Sequence, residues 1–423
     1  MSKPLVTILG KTVKKIAGLR GGGSALPGLI VEHIDPEFVR HTLSDLPMGV
    51  VVVSGTNGKT TTTKMVVELL ESQGMKVFTN RTGSNFSRGV VAALLGDINL
   101  QGKLDADIAV LELDEAHAVS FVSKVTPRFS LILNVMRDQL DRFGEVDYTA
   151  KLLTKIAEAT TDKTILNRED PRIANIAKSL DKSKTDFFGL NSTLLSMFPS
   201  DDNLHGQVKN SDPVIPARVT LESVRDGSAS FCINDKVVST KIKLSGVYNI
   251  YNAAAAITLT YAIMNNKVDE AKLLRSLANI EPAFGRGEVL TVDDQPLEIV
   301  LVKNPSGFRL GLVSFNPDNY VTMIAINDNY ADGRDMSWLW DVDFTSLQKD
   351  GVKQVSGIRA YDMALRLQYD EVKIESVDTD LTVAVKRFIK SSKNQPKRIY
   401  CTYTAMTSIR RILSKVAKVE VVK

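Results

Sequence analysis

Four consecutive valines, Val50 to Val53, run directly into Ser54-Gly55-Thr56-Asn57-Gly58-Lys59-Thr60-Thr61. A β-branched run of this kind suits a strand buried on both faces, and Thr61 to Ser72 continues as a helix. Strand, glycine-rich loop and helix in that order turn backbone N–H groups and a helix N-terminus toward one point, which is an anion site suited to phosphates. Gly55 and Gly58 allow the tight path and the close approach. Lys59 is placed to reach β- and γ-phosphates, and the Thr60 hydroxyl to ligate Mg²⁺. The general phosphate-loop pattern also asks for a glycine where this chain has Val53, so that pattern is incomplete.

The rhythm on either side is α/β. Strands are expected at Met75 to Thr79, Ile108 to Glu112, Phe129 to Leu133 and Thr164 to Leu166. They alternate with helices at Ser87 to Leu95, Ala116 to Lys124, Tyr148 to Ala159 and Pro171 to Leu180, which predicts a mostly parallel, doubly wound sheet. Residues 190–245 read as a small β insertion or edge extension. A helix from Asn249 to Asn265 carries the alanine run Ala253 to Ala256, and Pro282 to Gly287 reads as a break. Strands at Glu298 to Val302, Val321 to Ile326, Gln354 to Ile358 and Arg398 to Tyr403 then predict a smaller, Rossmann-like α/β domain. The expected division is an N-terminal helical segment, 1–45, packed on a central domain, 46–285, followed by a C-terminal domain, 286–423. Within the first segment a short helix from Lys11 to Leu19, a glycine-rich loop and a second helical stretch from Pro36 are expected.

Composition narrows the class. The chain has 423 residues, 43% apolar and 24% charged, with a net charge of +4. That small surplus gives no support for a nucleic-acid reader, which concentrates basic residues on one face. Cys232 and Cys401 both lie in alternating, strand-like surroundings, so buried, inert thiols are expected and a disulfide framework is excluded by count. No apolar stretch approaches the roughly 20 residues of a membrane span. Nor is there an apolar region followed by a small-residue cleavage site. The expectation is a cytoplasmic protein without a transmembrane segment, which meets a membrane only from the surface of its inner face.

The loop Gly-Thr-Asn-Gly-Lys-Thr resembles the nucleotide loop of the Mur ligases and folylpolyglutamate synthases, and four further landmarks follow in order. Glu112-Leu113-Asp114-Glu115 closes a buried strand where the family places a Mg²⁺-binding glutamate. Asn134 to Arg142 is similar to its Asn…Asp-His-Leu-Asp segment. Gly246 to Ala256 is similar to a helix start near the adenine, and Phe284-Gly285-Arg286-Gly287-Glu288 to the Gly-Arg element at the hinge. The resemblance implies a Mur-ligase-like central domain that binds ATP through Gly55, Thr56, Asn57, Gly58, Lys59, Thr60 and Thr61. It further implies Asn249 and Asn252 beside the nucleotide, Mg²⁺ on Thr60, Glu112 and Glu115, and Arg286 on the γ-phosphate or an acyl phosphate. Two steps depart from the family pattern: Gln139 and Tyr248 stand where it has histidine. Some Mur ligases use a carbamylated lysine near the place of Lys151.

Longer segments narrow the resemblance to the MurT family of Mur ligases: Asp138 to Glu145, Gly21 to Gly28, Lys303 to Phe308 and Asn327 to Trp338. Members of that family amidate the α-carboxylate of D-glutamate in the lipid II stem peptide and work with a GatD-type glutaminase. The resemblance gives Asp335 a role in completing the glutaminase Cys-His site, with Asp332 and Asp341 as substitutes. Many members carry a four-cysteine zinc ribbon in the middle domain. Here only Cys232 is near, so no structural zinc is expected. Independently of any family, the chain lacks a cysteine in a strained nucleophile turn, so if glutamine is the donor a second protein must release the ammonia.

Plainer roles stand beside these. Glu112, Asp114 or Glu115 also suits a helix cap, and Asn134, Asp138 and Asp141 suit turns. Arg286 suits a linker charge, Asp335 a turn or N-cap, Lys151 and His117 the surface. Trp338 and Trp340 suit packing in the C-terminal domain or its partner interface. Two other functions remain open on the sequence: an amino-acid-adding ligase of the Mur or folylpolyglutamate type, and a nucleotide-binding subunit without chemistry of its own.

Overall fold

The computed structural model describes residues 3–19, 25–80, 86–137, 146–198, 215–225, 227–244, 246–281, 286–315 and 319–415. Its first sheet contains β1 (Val50–Ser54), β2 (Val77–Thr79), β3 (Ile108–Glu112), β4 (Phe129–Ile132), β5 (Lys163–Asn167), β6 (Thr185–Leu190), β7 (Val219–Arg225), β8 (Ser228–Ile233) and β9 (Lys236–Lys241). The order is β2-β3-β1-β4-β5-β6-β7-β8-β9. Pairing is parallel from β2 through β7, and β8 and β9 continue it as an antiparallel meander. The stretch expected as a β insertion is therefore an extension of this same sheet.

The valine run explains the centre. Val51 and Val53 enter the core shared with the helices Lys59–Ser72 and Val247–Ile263, while Val50 and Val52 enter the core on the other face. Alternate side chains of a strand point to opposite faces, so a strand covered on both sides is apolar at every position. Ala253 to Ala256 are fully buried, and their small side chains let the helix Val247–Ile263 lie close against Lys59–Ser72. The strand order reverses at β1, with β3 on one side and β4 on the other, and crevices of this kind at strand ends hold ligands.

The second sheet contains β10 (Arg286–Val292), β11 (Gln295–Leu301), β12 (Val321–Ala325), β13 (Val352–Ser356), β14 (Ile374–Asp378) and β15 (Lys397–Cys401), ordered β10-β11-β15-β12-β13-β14. All neighbours pair in parallel except the β10–β11 hairpin. The expected break through Gly287 is thus already strand from Arg286. β14 was not anticipated, because it is a half-exposed edge strand without an apolar run.

The N-terminal segment is more helical than its sequence suggests. One helix spans Lys3–Leu19, and a second, unexpected one spans Ala25–Ile34. Pro27 is tolerated because it sits in a first helical turn, where the missing N–H is no loss. Gly28 marks a close helix crossing rather than a loop: a Cβ there would lie 2.2 Å from the Arg88 carbonyl oxygen.

Candidate functional site

The loop after β1 is fixed from below by the segment after β4. Thr56 N–H donates to the Asn134 carbonyl (3.0 Å), and Met136 N–H donates to the Thr56 hydroxyl oxygen (3.1 Å). Asn134 and Asn57 pair reciprocally: the Asn57 N–H donates to Asn134 Oδ1 and Asn134 Nδ2 to the Asn57 carbonyl, both at 2.9 Å. Asn134 Nδ2 also donates to the Tyr248 hydroxyl (2.5 Å), which in turn reaches the Asn57 carbonyl (3.4 Å). Tyr248, one of the departures from the family pattern, therefore braces the phosphate loop.

Glycine is required twice. Gly58 heads the helix Lys59–Ser72 in a left-handed conformation (φ +88°), and a Cβ there would meet Asn252 Nδ2 at 2.8 Å. A Cβ at Gly55 would meet the Asn134 backbone at 3.0 Å. Asn252 is buried directly beneath the loop, with its Nδ2 lacking a hydrogen-bond partner among the described residues.

Lys59 is buried and folds back on its own loop, donating to the Gly55 carbonyl (2.5 Å) and the Thr56 carbonyl (3.4 Å). Its ammonium also pairs with Glu115 at 3.6 Å. Lys303, from the end of β11, donates to the same Thr56 carbonyl at 3.1 Å. Asn304 follows it, exchanging side-chain hydrogen bonds with Asn57 (3.2 and 3.4 Å) while its Oδ1 caps the helix Pro305–Ser314 through Gly307 N–H (2.7 Å). Two ammonium groups remote in sequence thus converge at one helix N-terminus, where the backbone dipole already favours anions.

Thr60 and Glu112, both expected at a metal, are together: the Thr60 hydroxyl donates to Glu112 Oε1 at 2.8 Å. Asn80 clamps the backbone of Glu112 through both its N–H and its carbonyl (3.0 and 2.8 Å). Glu115 is buried and turned to Lys59. Asp114 occupies the N-cap position of the helix Glu115–Val122 but makes no side-chain cap bond. Among the described residues no three His, Cys, Asp or Glu side chains are placed so that they could hold a metal ion together.

Beside them is a cavity of about 250 Å³ lined by Thr56 to Lys59, Thr61, Phe86, Glu112, Asp114 and Asn249 from the first part of the chain, and by Lys303, Gly307 and Phe315 from the second; Thr60 and Glu115 are not in its lining. Asn249 faces it, whereas Asn252 supports the loop from beneath. Arg286 begins β10, and its side chain lies outside the described residues, as do Asp138, Gln139 and Asp141. Lys151 is exposed on the helix Val146–Glu158, and His117 packs edge-on against Phe86 at 4.5 Å between centroids.

The remaining candidates lie away from the cavity. Asp335 is half-buried in the connection after β12, and its Oδ1 accepts the Ser337 N–H at 2.9 Å. Asp332 is buried and accepts from Thr404 N–H (2.7 Å), the Thr404 hydroxyl (2.5 Å) and Asn329 N–H (3.1 Å). Burial pushes its carboxyl above the usual range, partly offset by those bonds. Asp341 pairs with Arg137 at 2.9 Å across the two parts of the chain. Trp338 is buried, whereas Trp340 is half-exposed. Cys401 is buried, with its thiol pushed up by desolvation, while Cys232 is only half-buried on β8, against expectation.

Sequence reasoning missed Lys303 and Asn304 as site residues. Asn-Pro signals a helix start, but nothing local says that the helix faces the phosphate loop. Asn80 carried no signal of its own.

Residues 53–260 match the profile of the Mur ligase middle domain, and residues 301–406 that of the MurT ligase C-terminal region. The chain is 28% identical over 442 residues to the lipid II isoglutaminyl synthase (glutamine-hydrolyzing) subunit MurT of Streptococcus pneumoniae, covering 96% of each. It is 28% identical over 395 residues to the MurT subunit of the same name from Staphylococcus aureus, covering 86% of this chain and 87% of that one. Its fold is similar to that of MurF ligase from Thermotoga maritima in complex with ADP, with a TM-score of 0.66 at 18% identity over 90% of this chain and 82% of the other. Matched in both parts and related along most of its length to MurT subunits, the chain belongs to the Mur ligase family of ATP-dependent ligases, in its MurT branch.

Proposed function

We propose that this chain is the ligase subunit of a lipid II amidating enzyme: it uses ATP to convert the α-carboxylate of D-glutamate in the stem peptide to the amide, with ammonia from a partner glutaminase. The observation that carries the reading is the convergence of Lys59 and Lys303 on the Thr56 carbonyl, beside the Thr60–Glu112 pair. Such a site binds a polyphosphate and offsets charge on a transferring phosphoryl group.

A free carboxylate does not acylate ammonia at neutral pH. In the proposed sequence one carboxylate oxygen takes the γ-phosphoryl group and ADP leaves. The nitrogen of ammonia then bonds to the acyl carbon, the carbon–oxygen bond to phosphate breaks, and nitrogen gives up a proton. Lys59 and Lys303 exchange the Thr56 carbonyl for phosphate oxygens, and Arg286 is assigned to the γ-phosphate or the acyl phosphate on the family resemblance alone. The backbone of Gly55 to Thr61 cradles the phosphates, with Asn249 on the nucleotide and Asn252 holding the loop. Thr60 and Glu112 suit Mg²⁺, a cation that takes one or two carboxylates and completes its shell with phosphate oxygens and water. Glu115 either joins that set or keeps Lys59 oriented. When bound, the cation neutralises charge on the phosphoryl oxygens. Residues 46–285 and 286–423 would act as two domains whose closure excludes water from the acyl phosphate.

The ammonia source is a second protein. Asp335 is the carboxylate we assign to the partner's Cys-His pair, on the similarity of Asn327 to Trp338 to the MurT family, with Asp332 and Asp341 as substitutes. The same end of the second sheet exposes Tyr330, Ile358, Tyr361 and Tyr403, an apolar set of the kind that partner proteins cover. The working location is the cytoplasm, at the inner face of the membrane.

The test is mass spectrometry of lipid II incubated with this protein, Mg·ATP and ammonium, without glutaminase. Conversion of the D-glutamate carboxylate to its amide is expected. If no amide forms, and none forms with glutamine and a GatD-type partner, the amidation reading fails in favour of an amino-acid-adding ligase.

A further inference from the structure

A surface helix normally presents one apolar stripe to the core and a polar face to water. The helix Lys3–Leu19 presents two apolar stripes. Val6, Gly10 and Ala17 face inward, and Gly10 is held so closely between Val31 and Leu95 that an added Cβ would come within 2.7 Å of both. On the opposite side Leu5, Ile8, Leu9 and Ile16 recur at helical spacing and are each between 37% and 54% exposed. The neighbouring helix Ala25–Ile34 adds Leu26 and Leu29, also exposed, to the outside of the same pair.

The charge on the first helix has one sign, and Glu32 on the second is paired with Arg88 at 3.5 Å. Lys3–Leu19 holds Lys3, Lys11, Lys14 and Lys15 and no Asp or Glu. Lys11 and Lys14 lie along the flank, donating to the Leu95 and Ala92 carbonyls (2.9 and 2.8 Å), and Lys15 is exposed at the edge of the apolar stripe. An exposed apolar stripe bordered by lysines matches the interface of an anionic bilayer, which takes the apolar side chains below its headgroups and attracts the cations. A protein partner would need acidic groups set around an apolar strip; a bilayer supplies both everywhere.

From this we infer that the paired N-terminal helices form a docking element for an anionic lipid surface. Its position links it to the cavity. Gly28 of the second helix lies against the backbone of Arg88, two residues from the cavity-lining Phe86. Relying on the amidation reading for this step alone, the element would hold the cavity near a substrate whose lipid tail stays in the bilayer.

Vesicle flotation of the full chain tests the docking without nucleotide or substrate, so its outcome is independent of the amidation assay. Vesicles with about 30% phosphatidylglycerol in phosphatidylcholine should carry the protein upward, and pure phosphatidylcholine should carry much less. The triple variant Leu5→Glu/Ile8→Glu/Ile16→Glu alters exposed positions only and should bind about tenfold more weakly or less, with an unchanged melting temperature. Lys15→Glu should abolish the preference for the anionic lipid. Val237→Glu, at an exposed apolar site on β9, should bind like the parent. A parent chain that does not float with anionic vesicles overturns the inference. So does a triple variant that floats equally well, or one that changes only the oligomeric state.

Discussion

At the scale of single residues, the phosphate loop is a set of constraints that each have a separable cost. Gly58→Ala would force a left-handed alanine, at about 1–2 kcal/mol, and press its methyl against Asn252 Nδ2. We expect a lower melting temperature together with weaker nucleotide binding; unchanged values for both would contradict the loop geometry. Lys59→Ala should leave folding intact and reduce ATP-dependent turnover by about 10²–10³-fold, the scale of losing one charge-stabilising group. Full activity in that variant would favour a nucleotide-binding subunit without chemistry. Asp332 supplies a pH signature. Burial raises its carboxyl above the ordinary aspartate value of 3.8, so the folded state holds its proton more tightly than the unfolded one. Its contribution to stability is thus full below the unfolded value and is lost as pH rises through the folded value. A ¹³C carboxyl titration should give a midpoint above 3.8, and a midpoint below it would be incompatible with this burial.

At the scale of elements, the site depends on how strand ends are tied to the turns beside them. Asp170 shows the principle. Its Oδ1 caps the helix Pro171–Ile176 through Arg172 and Ile173 N–H, and its Oδ2 accepts the Val135 N–H at 2.6 Å. Val135 follows Asn134, so this carboxyl positions the segment that grips the phosphate loop. Asp170→Ala should cost about 2 kcal/mol, from the lost cap and an orphaned buried donor. Denaturant titration measures that cost, and nucleotide affinity should fall with it. Much at this scale was readable in advance, because β1, β3 and β4 are mostly apolar and buried at every position, and their spacing admits one kind of crossover. What escaped reading had a physical cause. The Ala25–Ile34 helix hides behind Pro27 and Gly28, two residues that signal turns, although one is harmless in a first turn and the other is needed for a helix crossing. β14 is an edge strand whose half-exposed pattern carries no period-two signal.

At the scale of the whole molecule, three polar contacts among the described residues join the two parts of the chain beside the cavity. Arg137 pairs with Asp341, Asn57 with Asn304, and Lys303 with the Thr56 carbonyl. Arg137 and Asp341 are partly exposed, so a double-mutant cycle with Arg137→Ala and Asp341→Asn should give a coupling of only about 0.5 kcal/mol, weakening with added salt. A much larger, salt-insensitive coupling would mean that the pair is a rigid lock rather than a contact that opens and closes.

The sequence by itself determined the glycine-rich loop and the α/β alternation, because each rests on local chemistry: glycine φ freedom and strand periodicity. Tertiary structure decided the rest. Lys303 and Asn304 lie far along the chain from the loop they touch, and only the packing of the second sheet against the first brings them there. The tertiary structure likewise turned Tyr248 from an apparent loss into a brace on Asn134 and Asn57. It also gave three aspartates that look alike in sequence different surroundings: Asp332 is buried and accepts from Thr404 and Asn329, Asp341 pairs with a distant arginine, and half-buried Asp335 accepts from Ser337.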